Sequence, residues 1–258
     1  MKDLCVLVSS SDNTFDIFSI VGNSVVKEWP TDEIQMYVGL NQCLASQPFL
    51  GLYSKEAKNW SSELKVQINK LPSKYENIVL ILDDFYFTDK VNLHLLQKSL
   101  DFFKQNNADY LRLKPIKRSW IVETLYSLRL NKKFAVKLGK DEPYYSSLQV
   151  AIWKRPYLCS MLEECKSIWD FEHYALPGSR HYAVSLDFVK YIHLVEKGKW
   201  FKYAPKMLKN THIKFFLKRG FVSSPFKNSR LFNKIKFGIF GYFSFRIKKW
   251  IHGFAINK

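Results

Sequence analysis

Two carboxylates, Asp83 and Asp84, stand side by side after the aliphatic run Ile78-Val79-Leu80-Ile81-Leu82. Adjacent acids suit a hard divalent cation carrying phosphates; alternatively they end a strand and cap the next turn. A second acidic pair, Asp170 and Glu172, lies in Ser167-Ile168-Trp169-Asp170-Phe171-Glu172. Ser167 three residues before Asp170 fits a capping box opening a short helix, on which Trp169 and Glu172 share a face. A glutamate beside an aromatic in a partly dry pocket can rise in pKa enough to act as a general base, whereas a surface helix glutamate is the plain alternative. The polar turn Ser9-Ser10-Ser11-Asp12-Asn13 follows the first apolar run. Small residues there let backbone amides approach a ligand, although with no glycine the turn is neither a Rossmann fingerprint nor a P-loop, and a helix cap is the simpler reading.

The elements that must position these residues read as α/β. Leu4–Val8 and Ile78–Leu82 lack the alternation of half-exposed strands, so they are predicted to be strands buried on both faces of a parallel sheet. Acids following such a strand sit at its carboxyl end, where open α/β sheets collect ligands. Gln35–Leu40 and Phe49–Tyr53 are further strands. Asn59 opens a helix that runs through Leu71 to Pro72, and Thr88 or Asp89 is expected to cap a helix over Val91–Asn107. Ala108–Lys114 is a strand, and residues 115–143 form a basic, irregular insertion carrying Lys117, Arg118, Lys132, Lys133, Lys137 and Lys140. Tyr144–Leu158 holds a strand that meets a helix at Pro156. Tyr182–His193 is strand-like, after a loop with Arg180-His181.

Charge divides the chain. It has 258 residues and a formal net charge of +17, yet residues 1–196 carry 24 basic and 23 acidic groups. Residues 197–258 hold 16 Lys or Arg and no acid, interleaved with Phe and Trp. Such a tail suits an anionic membrane surface, with aromatics at the acyl boundary and cations on headgroups. The same composition also suits nucleic acid, but the near-neutral first part and the absence of a nucleic-acid module favour the membrane, and no nucleic-acid partner is expected. Cys5, Cys43, Cys159 and Cys165 lack CxxC or zinc-finger spacing and read as reduced thiols of a cytosolic protein. No apolar stretch approaches the roughly 20 residues of a spanning helix, and the start does not read as a secretory signal. From these features the chain is expected in the cytoplasm, peripheral on the inner face of the cytoplasmic membrane.

Four motifs in order, Asn59-Trp60, Leu82-Asp83-Asp84-Phe85, Ser147-Leu148-Gln149-Val150-Ala151-Ile152-Trp153 and Trp169-Asp170-Phe171-Glu172, together resemble bacterial GT-A-like glycosyltransferases of capsule, O-antigen and lipooligosaccharide assembly. The resemblance spans roughly residues 4–205, giving a division into a transferase domain, 1–205, and a membrane-associating tail, 206–258. It implies a GT-A-like Rossmann-type sandwich, a mixed and mostly parallel sheet between helices. It also implies a nucleotide-sugar donor, a glycan or lipid-linked acceptor and an inverting transfer. Asp83 and Asp84 would stand where that fold keeps its Asp-X-Asp motif, beside the donor diphosphate and Mg²⁺ or Mn²⁺. Here the pattern is Asp-Asp-Phe, so the acids would either ligate the cation or meet sugar and ribose while basic side chains take the leaving phosphate.

On the same resemblance Ser9, Ser10 and Asp12 would line base and ribose, and Asn59 with Trp60 would flank the donor. Glu172, then Asp170, would be the base, Gln149 and Trp153 would contact the acceptor, and Lys114, Arg180 and His181 would stabilise phosphate. A non-catalytic basic binding protein and a metal-dependent nucleotidyltransferase remain the alternatives.

Overall fold

The aliphatic run before Asp83 forms strand β4 (Asn77–Leu82). The computed structural model describes residues 1–55, 59–116, 133–139, 145–165, 167–208 and 218–222. Ile78, Val79, Leu80 and Ile81 are fully buried, as are Cys5, Val6, Leu7 and Val8 of β1 (Leu4–Ser9), so both runs are covered on both faces. β1 pairs in parallel with β4 and with β2 (Met36–Leu40), and β2 pairs in parallel with β3 (Phe49–Tyr53). Beyond β4 lies antiparallel β8 (Ala151–Lys154), then β6 (Tyr110–Arg112), β9 (His181–Val184) and antiparallel β7 (Ala135–Lys137). The eight-stranded order is β3-β2-β1-β4-β8-β6-β9-β7. It is the mixed, mostly parallel sheet expected, and it sets the carboxyl ends of β1, β2, β3, β4 and β6 along one edge.

Alternation assigns the helices to faces. Cys5, Leu7, Ile78, Leu80 and Trp153 pack with Leu64 and Ile68 of α2 (Trp60–Asn69) and with Leu158, Met161 and Leu162 of α4 (Arg155–Glu164). The opposite face takes α1 (Phe15–Glu28) and α3 (Leu93–Gln105), whose Phe18 and Phe102 meet Phe49 and Tyr182 edge to face at 5.2 and 5.3 Å. Arg155 locks α4 to the end of α2: its guanidinium donates to the carbonyls of Ile68, Leu71 and Pro72 at 2.9–3.0 Å. The Ile68 and Pro72 carbonyls also accept from the Leu71 and Tyr75 amides at 3.1 Å, so the guanidinium fills their second lone pairs.

Two expected elements are corrected. Neither Thr88 nor Asp89 caps α3; Asn92 does, its Oδ1 accepting from the Leu95 amide at 3.0 Å. The preceding residues are held elsewhere: Phe85–Phe87 form β5, and the Thr88 and Val91 amides donate to the carbonyls of Lys190 and Glu28. The segment Tyr182–His193 is likewise two strands, β9 in the large sheet and β10 (Tyr191–His193) paired antiparallel with β5.

The chain divides into two units, Met1–Ile116 with Lys133–Leu194, and Lys117–Lys132 with Val195–Lys258. In the second, β11 (Val195–Glu196), β12 (Lys199–Phe201) and β13 (Phe221–Val222) form a small sheet, and α6 spans Ala204–Met207. Residues 209–217 and 223–258 of the basic aromatic tail, together with Lys117, Arg118, Lys132 and Lys140, lie outside the described residues. No helix among the described residues is long and apolar enough to cross a membrane.

Candidate active site

At the carboxyl edge, β1 and β4 are in register so that Ser9 lies opposite Leu82, and the residues that follow each strand meet. Ser10 Oγ donates to Asp83 Oδ2 at 2.7 Å. Asp12 turns the other way and braces the next loop. Its carboxylate accepts from the amides of Asn41, Gln42 and Cys43 at 3.0–3.2 Å, while its own amide donates to Asn41 Oδ1. Burial alone would raise its pKa, but these donors outweigh it and hold the carboxyl below the usual range. Ser10 and Asp83 are therefore in contact where the ends of β1 and β4 meet, whereas the Asp12 oxygens are committed to backbone amides.

Asp84 is held by groups from the far end of the unit. Its Oδ2 lies 3.1 Å from His193 Nδ1, and its carbonyl accepts from the Leu194 amide at 3.1 Å. The β5–β10 pair makes this possible, since His193 lies opposite Phe85, and the Phe85 ring stacks on Tyr191 at 4.4 Å. Asp84 Oδ1 is buried with no hydrogen-bond partner. Such an oxygen is costly unless a ligand completes it.

Tyr191 continues the site toward the acceptor candidates. Its hydroxyl donates to Gln149 Oε1, and Lys114 Nζ sits 4.2 Å over its ring and 3.8 Å from Asp187. Burial raises the Tyr191 pKa, keeping the phenol protonated. Arg112, almost fully buried at the end of β6, donates through Nε to the Tyr110 hydroxyl at 3.2 Å, and that hydroxyl donates to the Ser147 carbonyl at 2.8 Å.

One residue further, the Leu148 amide donates to Glu172 Oε1 at 3.0 Å. The helix carrying Glu172, α5 (Ile168–His173), begins with the expected cap: Ser167 Oγ accepts from the Asp170 amide at 3.1 Å and donates to Asp170 Oδ2 at 2.8 Å. Asp170 is thus occupied at the helix start. Phe171 anchors the helix, fully buried between the rings of Trp60 (5.5 Å) and Trp153 (5.4 Å). Asn59 caps α2, its Oδ1 accepting from the Ser62 amide at 2.9 Å, and Trp60 begins that helix at the same edge.

Three expected site residues are elsewhere. Trp153 is fully buried in β8 between β4 and β6, so it is a core residue and offers no platform to an acceptor. His181 is level with Tyr110, which is level with Trp153 and Ile78, and Asp83 follows the other end of β4. That separation is roughly 17 Å along the strands. His181 is also fully buried: Nδ1 bonds the Tyr145 carbonyl at 3.0 Å and Nε2 the Tyr157 hydroxyl at 2.7 Å. Burial drives its pKa down to about 4, so it is a neutral core ring and no phosphate ligand. Arg180 precedes it, its amide bonded to Asp109, at a cavity of about 540 Å³ shared with Lys137, Tyr145 and Ser179. That cavity belongs to the end of the sheet remote from Asp84.

His193, Tyr191 and Arg112 were not singled out from the sequence. Arg112 left a signal, a lone cation within Tyr110-Leu111-Arg112-Leu113; His193 left none short of knowing that β10 pairs with β5. Among the described residues no three His, Cys, Asp or Glu side chains cluster as a metal cage. Asp84 nevertheless fits a cation whose other ligands are phosphates, because Mg²⁺ is commonly bound by one or two carboxylates plus substrate, and Asp84 Oδ1 is the unsatisfied oxygen such an ion would use while His193 holds Oδ2.

The fold is an α/β sandwich with Asp83, Asp84 and Glu172 at the carboxyl edge of its sheet. No family model matches the chain, and no curated protein matches it significantly. Among solved structures, it is similar to S. aureus TarS 1–349 in complex with UDP-GlcNAc, at 15% identity and a TM-score of 0.49 over 78% of this chain and 60% of that one. It is also similar to the bifunctional IspDF from Campylobacter jejuni, at 9% identity and 0.43 over 74% and 52%. A cytidylyltransferase from Leptospira borgpetersenii gives 10% identity and 0.35 over 67% and 69%. The chain thus spans about 60% of the TarS fragment. With these TM-scores all below 0.5, the architecture rests on the strand order and register above.

Proposed function

We propose that the chain is a glycosyltransferase, moving a sugar with inversion from a nucleotide-sugar donor to a glycan or lipid-linked acceptor in capsule, O-antigen or lipooligosaccharide synthesis. The observation that carries this reading is the placement of two acidic groups at one sheet edge: Asp84 paired with His193, and Glu172 held by the Leu148 amide. Inverting transfer needs both. The acceptor hydroxyl attacks the anomeric carbon as the bond from that carbon to the donor phosphate oxygen breaks, its proton passes to the Glu172 carboxylate, and the nucleoside diphosphate departs with the bonding pair. Asp84, braced by His193, would hold Mg²⁺ or Mn²⁺, which when bound neutralises charge on the leaving diphosphate. Ser10 orients Asp83 toward the donor, and Arg112 and Lys114 add positive charge nearby. The tail, by its composition, holds the protein at the anionic inner face of the membrane.

A thermal-shift panel of UDP-, GDP-, dTDP- and CMP-sugars, with and without Mn²⁺, tests the reading, since a ligand bound only by the folded state raises stability with its affinity. One sugar nucleotide is expected to shift the wild type and to be lost in Asp84→Ala. Glu172→Gln should keep the shift and lose transfer. Normal transfer by both variants would sink the assigned site, and release of pyrophosphate from a nucleoside triphosphate supplied with a sugar phosphate would show a nucleotidyltransferase instead.

A further inference from the structure

Gln149 stands where the two acidic groups of the candidate site approach each other. Counting two residues past Leu80 and Ala151, the last pair of the β4–β8 ladder, brings Gln149 level with Leu82, the residue before Asp83. On its other side, the Leu148 amide holds Glu172 at 3.0 Å. The Gln149 side chain is half-buried, and its Oε1 accepts from the Tyr191 hydroxyl. Tyr191 belongs to the Asp84 side, because its ring stacks at 4.4 Å on Phe85, the residue after Asp84. The sense of the hydrogen bond follows from the phenol. Burial raises the Tyr191 pKa so that the phenol keeps its hydrogen, and the Val150 amide, acting on the phenol oxygen, offsets part of that rise. The phenol hydrogen is then left for the carboxamide oxygen of Gln149, which turns the two hydrogens of Nε2 the other way. Among the described residues Nε2 makes no hydrogen bond.

We infer that Gln149 is a specificity-determining residue whose Nε2 donates to a hydroxyl oxygen of the sugar being transferred, and that Tyr191 is the positioning residue that holds the amide in that sense. The inference rests on the proposed function above. In an inverting transfer the attacking hydroxyl and the leaving phosphate lie on opposite faces of the anomeric carbon. The transferred ring therefore sits between the group at the diphosphate and the base, which are Asp84 and Glu172 on that reading. Gln149 is bonded to the Asp84 side through Tyr191 and adjoins the Leu148 amide that holds Glu172, so it faces that ring. The acceptor stands beyond Glu172, which assigns the amide to the donor sugar and not to the acceptor. A carboxamide suits the place because it is uncharged: it neither repels a diphosphate nor competes with Asp84 for a cation. A sugar without the matching hydroxyl leaves Nε2 unpaired, and a site built to hydrogen-bond a substrate hydroxyl rejects the analogue that lacks it.

The test uses the full chain, the sugar nucleotide that shifts the wild type, and its deoxy and deoxyfluoro analogues at each ring hydroxyl, with affinity read by calorimetric titration. A deoxy analogue lacks the oxygen, whereas fluorine still accepts a hydrogen bond and cannot donate one. At one position the wild type should bind the deoxy analogue about tenfold more weakly than the parent, and Gln149→Met should erase that difference. At the same position the wild type should bind the deoxyfluoro analogue at least about threefold tighter than the deoxy analogue. Tyr191→Phe keeps the ring and loses the orienting hydroxyl, so it should lose the preference for fluorine while still binding the parent, which a purely structural role would not predict. Gln149→Glu keeps an acceptor for Tyr191 and offers the sugar no donor, so it too should lose that preference. The inference is overturned, with the donor shift leaving sugar transfer standing, by any of three results: no position at which Gln149→Met erases a difference, a wild type indifferent to fluorine, or a fluorine preference that survives in Gln149→Glu or Tyr191→Phe. No shift with any sugar nucleotide overturns the transfer reading and this inference with it.

Discussion

The neutral ring of His181 carries a measurable consequence for stability. In the unfolded chain the imidazole takes up a proton as the pH falls through 6.5, but in the folded protein it stays neutral until about 4. Removal from water is the larger cause, only partly offset by the hydrogen bond to the Tyr145 carbonyl. Between those values the unfolded state binds the extra proton, so the contribution is complete above pH 6.5 and is lost as the pH falls toward 4. At about 1.4 kcal/mol per pH unit, the total loss is about 3 kcal/mol. His181→Gln removes the titrating group, at a constant cost from lost contact with the Tyr145 ring, which stacks on it at 4.1 Å. Urea unfolding of both proteins across this range cancels the other acids. Wild type should lose about 2 kcal/mol relative to the variant by about pH 5. Parallel curves would refute the buried, neutral assignment and reopen a role for His181 as a cation.

Three other outcomes follow from described contacts. Arg155→Ala removes a charged donor shared by three carbonyls, two of which keep backbone donors, and should cost about 1–2 kcal/mol, seen as a lower urea midpoint at unchanged slope; Arg155→Lys should restore only part of it. His193→Ala removes the side chain that holds Asp84 in place and should weaken Mn²⁺ about tenfold in the presence of the sugar nucleotide, read by calorimetric titration; unchanged affinity would move the cation elsewhere. Deleting residues 206–258 removes thirteen Lys or Arg, each worth about 1 kcal/mol near an anionic surface. The truncated protein should stay in the supernatant when anionic liposomes are pelleted, and co-sedimentation would place the membrane contact outside the tail.

What could be read from the residues was what is local. Fully apolar runs announced β1 and β4, and spacing with caps announced α2 and α5, because hydrophobic period and end groups act within one element. Asp83, Asp84 and Glu172 stood out because a strand end and a helix start mark them locally, although the groups that hold them lie 73, 109 and 24 positions away. The errors concern residues whose surroundings come from afar. Trp153 and His181 look like ligands in a line of text, but each sits in a layer built by three strands and a helix. His193 and Tyr191 reach the site through a pairing of β10 with β5 that no local pattern encodes.

The bond between Asp84 and His193 spans 109 positions of chain. At about 5–20 residues per second of synthesis, Asp84 waits roughly 5–20 s before the residue that holds it is made. The strand pair that aligns them is also a long-range contact, formed only after the intervening chain has closed. On the proposed function, cation and donor binding at this edge should therefore appear last during folding, making them a report of completed assembly. A chain interrupted before residue 193 would contain β1 and β4 with both acids, yet carry no competent site.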